Sequence, residues 1–98
     1  MITAAKSYQL KFPISSQVGD DEETITTVQV RRPVARDFRA IDAVKGEIAQ
    51  SLTMIEQLTG LMRVQVDKLD GVDMAAIGEI IEGFMLPGLP TGEISSAT

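Results

Sequence analysis

The stretch Thr24–Phe38 reads TITTVQVRRPVARDF, and its hydrophobic period changes part-way along. From Thr24 to Arg31 most residues are β-branched, and Val28 and Val30 stand two apart, on one side of a strand. Pro33 has no amide hydrogen for a sheet ladder and ends that strand. Beyond it, Val34, Phe38, Ile41, Val44, Ile48, Leu52, Ile55 and Leu58 recur at steps of three or four, drawing one apolar stripe along a helix. A strand before Pro33 and helix after it predict an α+β chain.

Towards the amino terminus, Tyr8, Leu10 and Phe12 alternate with Gln9, Lys11 and Pro13, which predicts a first strand over residues 7–13. Ser15, Ser16, Gly19 and the acidic run Asp20, Asp21, Glu22 and Glu23 then predict a hairpin loop. Towards the carboxyl terminus, Gly46 falls inside the helical stripe without disturbing its phase, so one long helix and two shorter ones both fit. Gly60 suits the left-handed position just past a helix. Residues 61–69 predict a short helical or irregular link carrying Leu61, Val64, Val66 and Leu69 inward. Asp70 or Asp73 can cap a last helix in which Met74, Ile77, Ile81 and Phe84 recur, ending near Met85 because Pro87 forbids continuation.

The expected architecture is a single domain over residues 1–87, with an N-terminal β-hairpin packed on two or three antiparallel α-helices. Residues 88–98 have no apolar periodicity and are expected to form a flexible tail that can be deleted without loss of folding. The expected core comprises Leu10, Phe12, Val28, Val30, Phe38, Ile41, Leu52, Ile55, Leu58, Ile77, Ile81 and Phe84. Phe84→Ala should cost about 3–5 kcal/mol if the ring is buried.

Composition limits the chemistry. The 98 residues contain neither histidine nor cysteine, which removes disulfides and thiolate or imidazole metal ligands. Nine basic against fourteen acidic residues give a net charge of −5, which argues against a nucleic-acid footprint. No apolar run approaches membrane-spanning length, and the amino-terminal residues lack a secretory pattern, so a cytoplasmic location is expected. Asp67, Asp70 and Asp73 recur every three residues but lack the ligand offsets of a Ca²⁺ loop, and are expected to cap a helix and face water. The glycines form no phosphate-cradling loop. The expectation is a binding protein without catalytic residues, metal or cofactor.

Two features suit binding. Arg31, Arg32, Arg36 and Arg39 concentrate positive charge on an otherwise acidic chain, with Arg36 and Arg39 on one helical face. Met54, Met62, Met74 and Met85 lie on or beside the apolar stripes, where flexible thioethers suit either a core or an adaptable partner surface, and the first three are the candidates for partner binding.

The order of these motifs resembles the phage tail assembly chaperones, small proteins encoded between the tail tube and tape-measure genes of Mu-like and related long-tailed phages. The resemblance rests on Leu10-Lys11-Phe12-Pro13, on Val28-Gln29-Val30-Arg31-Arg32-Pro33 leading into Arg36-Asp37-Phe38, and on Glu56-Gln57-Leu58-Thr59-Gly60-Leu61. Leu69-Asp70 and Gly83-Phe84 complete it, across residues 8–85. It implies a protein absent from the finished virion that binds the tape-measure protein, with tail tube subunits as second clients, and keeps them soluble in the host cytoplasm. It supplies no catalytic residues. A minor tail or tail-completion subunit retained in the particle is the competing structural reading.

Overall fold

A computed structural model describes residues 5–85. The elements are strands β1 (Ala5–Val18) and β2 (Asp21–Arg31), then helices α1 (Ala35–Asp42), α2 (Glu47–Thr59), α3 (Arg63–Val66) and α4 (Gly71–Phe84). This is the expected α+β order, an antiparallel hairpin followed by helices, four of them among the described residues. The expectation for residues 88–98 lies outside the described residues.

The strands run further than the sequence pattern indicates. Ser15 pairs with Thr24, Ser16 with Glu23 and Gln17 with Glu22, leaving Gly19 and Asp20 as the turn. The expected loop over residues 15–23 is therefore mostly sheet. Gly19 at φ 62° supplies the left-handed backbone a two-residue turn needs. A strand needs only its main-chain partners, and Asp21, Glu22 and Glu23 keep their charged side chains exposed.

Between Gln9 and Ile14 the register slips, so Leu10, Lys11, Phe12 and Pro13 stand opposite Thr26 alone. Such a bulge bends the strand and turns its side chains. Leu10 and Ile14 point into the core, while Phe12, expected in the core, is 51% exposed.

Gly46 decides between one helix and two. At φ 101° it cannot sit inside a helix, so α1 ends at Asp42 and α2 begins at Glu47. The Gln50 side chain donates from Nε2 to the Val44 carbonyl (2.9 Å) and helps close the corner. At the far end of α2, Gly60 takes the left-handed position (φ 77°), as expected.

Leu10, Ile14, Val28, Val30, Met54, Ile55, Leu58, Val66, Ile77 and Ile81 form the buried core, with Ile41, Leu52 and Phe84 partly buried against it. Phe38 was expected here but remains 38% exposed, because α1 is a single short helix folded back at Gly46. In the link, Val66 is buried but Val64 is 56% exposed, since α3 is one turn long and presents only one side to the hairpin. On that side Gln65, also buried, donates to the Ser16 hydroxyl at 3.0 Å.

Phe84 lies beneath Arg32, whose guanidinium carbon is 5.4 Å from the ring centroid. Because the ring is only partly buried, Phe84→Ala is expected to cost about 2 kcal/mol in urea unfolding, short of the loss for a fully enclosed phenylalanine. Arg32→Ala should lower stability by about 0.5 kcal/mol through loss of the cation–π contact.

Candidate functional site

Two buried carboxylates anchor the helices to the hairpin. Each belongs to the third residue of its helix, close to the positive end of the helix dipole. Asp73, fully buried on α4, accepts from the Lys11 amide (2.9 Å), the Phe12 amide (3.0 Å) and the Tyr8 hydroxyl (2.7 Å). Lys11 and Phe12 belong to the bulge, so Asp73 satisfies main-chain donors that have no β2 residue opposite. The expectation that Asp73 faces water is thus reversed, whereas Asp70 does cap α4, accepting from the Val72 amide at 2.9 Å. Burial alone would raise the Asp73 pKa, but the bonds from Lys11, Tyr8 and Phe12 outweigh it and hold the carboxyl below its ordinary 3.8. The same bond pushes the Tyr8 hydroxyl above its ordinary 10.0.

Asp37, fully buried on α1, accepts a two-pronged contact from Arg31 (2.7 and 2.9 Å) and a bond from the Val34 amide (2.8 Å). Arg31 also donates to the Gln57 carbonyl of α2 at 3.1 Å. One guanidinium thereby joins the end of β2 to α1 and to the last turns of α2. The Arg31 bonds, first among the causes, hold the Asp37 carboxyl below its usual range despite burial.

With α2 set against β2 and α4 against β1, the two helices flank an open groove. Ile41, Met54, Ile55, Met74 and Ile81 give it an apolar lining, and Ile48 at its edge is 65% exposed. Ala75 and Gly78 of α4 also line it, and a methyl group added at Gly78 would meet nothing within 4 Å. The charged residues in the lining are Glu47, Glu79 and Glu82, all exposed and all acidic.

Of the residues singled out from sequence, Met54 and Met74 come together in this groove, Met54 as part of its buried floor. Met62 lies apart, half-exposed just before α3. Arg31 is engaged with Asp37, and Arg32 covers Phe84 and donates to its carbonyl at 3.3 Å. Arg36 and Arg39 are exposed on α1 and form no salt bridge among the described residues.

Glu47, Glu79 and Glu82 escape a one-dimensional reading because they lie on two helices far apart in sequence. Asp73 reads in the sequence as an exposed capping acid, and Asp37 has the same first-turn signature, so neither is distinguished there from a solvated cap.

Residues 7–86 match the sequence family described as phage tail assembly chaperone proteins, E, or 41 or 14. The chain belongs to that family. No curated protein and no solved structure matches it. The match covers the hairpin from Ser7 and all four described helices, so the groove and both carboxylate anchors lie within it. A member of this family works on tail proteins in the host cell during assembly. Among the described residues no helix is long and apolar enough to cross a membrane.

Proposed function

We propose that this tail assembly chaperone binds the tape-measure protein in the host cytoplasm and keeps it soluble until tube subunits enclose it, without catalysis or cofactor. Tail tube subunits are the second candidate client. A tape-measure chain is a long helix whose apolar stripes stay exposed before the tube forms, and such patches aggregate. The observation that carries the reading is the open apolar groove between α2 and α4, which offers a surface for helix-in-groove contacts. Met54 and Met74 give it adaptable walls. Arg36 and Arg39, exposed on α1, would steer an acidic part of the client, while Met62 offers a separate apolar contact. Arg31 and Arg32 would act chiefly by holding the framework that presents them.

The test is co-expression of the tape-measure protein with wild type and with Ala75→Trp, which fills the groove from an exposed position and leaves the core untouched. Soluble tape-measure protein should fall roughly tenfold, the equivalent of about 1.4 kcal/mol of binding. Equal yields would remove the groove from the interaction. An Arg36→Glu/Arg39→Glu variant should lower the yield less, and only at low salt. Mass spectrometry of purified virions decides between this reading and a retained minor tail subunit, which alone would be found in the particle.

A further inference from the structure

The client reading leaves open what kind of helix the groove accepts, and the lining is specific on that point. Its charged side chains are three carboxylates, two on α4 and one on α2, with no cation among them. An acidic or neutral helix laid there would leave them unpaired, or set like charges together. Gly78 is the second observation. A glycine inside a helix weakens it relative to alanine, and here no neighbouring atom of the protein requires the missing methyl. The open space above Gly78 allows a second backbone to come close.

We propose that the groove between α2 and α4 receives an amphipathic helix of a client protein whose apolar stripe is flanked by lysines or arginines, seated across Gly78 with its cations against Glu47, Glu79 and Glu82. This rests on the client-binding reading and adds the chemistry of the client. A second copy of the chain is a poorer occupant, because a net charge of −5 on each copy opposes their approach.

Two synthetic helical peptides of the same length carry leucines at steps of three and four, flanked in one by lysines and in the other by glutamates. Their affinities are measured by fluorescence anisotropy against the full chain. The lysine-flanked peptide should bind roughly tenfold more tightly, with the preference shrinking as salt rises. Glu47→Gln/Glu79→Gln/Glu82→Gln should abolish the preference. Asp21→Asn/Glu22→Gln/Glu23→Gln, the same change of net charge at the hairpin end, should preserve it. Gly78→Ala should raise the melting temperature of the free protein yet weaken the lysine-flanked peptide about fivefold, since the methyl occupies the crossing point.

Equal binding of the two peptides, equal effects of the two triple variants, or undiminished binding by Gly78→Ala would each overturn the proposal. So would a wild-type dimer that Ala75→Trp dissociates, which would place a second copy in the groove. Co-expression separates this from failure of the client reading. If Ala75→Trp abolishes solubilisation and the Glu47/Glu79/Glu82 variant does not, the charge assignment fails alone. If Ala75→Trp leaves solubilisation intact, the groove is not the client site and the groove reading fails as well.

Discussion

Asp73→Ala is expected to lower stability by about 3 kcal/mol, a large share of what a domain of this size has in reserve. The substitution removes the acceptor for two bulge amides and a tyrosine hydroxyl at once, and detaches the start of α4 from β1. Water can reach Lys11 and Phe12, whose side chains are exposed, and this keeps the loss below the sum of three buried bonds. Asp73→Asn should be nearly as harmful, because an amide NH2 would face donors where a carboxylate oxygen now accepts. Tyr8→Phe removes one donor and leaves the carboxylate with its two amides, so its effect should be smaller. Urea unfolding at pH 7 checks the order.

The same carboxylate sets the acid limit. The pKa values of Asp73 and Asp37 are both depressed in the folded state relative to the ordinary 3.8. Their contribution is therefore fully present above that value, and is lost as pH falls through the lower folded values and protons bind the unfolded chain first. Stability should be nearly level from pH 7 to about 5 and decline below about 4. Asp73→Asn should flatten the decline as well as lower the plateau. A wild-type profile that stays level to pH 2 would contradict the arrangement.

Asp37→Ala is the second large effect, expected at about 3 kcal/mol by the same measurement, because it strands a partly buried guanidinium and removes the acceptor for the Val34 amide. Arg31→Lys should recover only part of the loss seen in Arg31→Ala, since an ammonium cannot make the two-pronged contact with Asp37 while also reaching the Gln57 carbonyl. Equal stability of Arg31→Lys and wild type would mean that charge alone, without the fork geometry, holds α1 in place.

By itself the sequence determined the order and type of the elements. The change of period at Pro33, the spacing from Met74 to Phe84, and the stop at Gly60 are local properties of a chain whose strands and helices each bury one side. It also carried enough ordered motif to reveal the family. Gly46 shows where local information ran out: the apolar phase fits a straight helix as well as a corner, and the corner wins because it folds α1 back beside α2. The bulge is a second case. Alternation through Phe12 predicts a regular strand, and only the carboxylate of Asp73, sixty-one residues away, makes two unpaired amides affordable there. The groove is a third, since its apolar floor and acidic rim draw on α1, α2 and α4. These features depend on which distant groups meet. Burial makes an unpaired amide or charge costly, so a partner distant in sequence decides whether a residue turns inward, and tertiary structure alone supplies that partner.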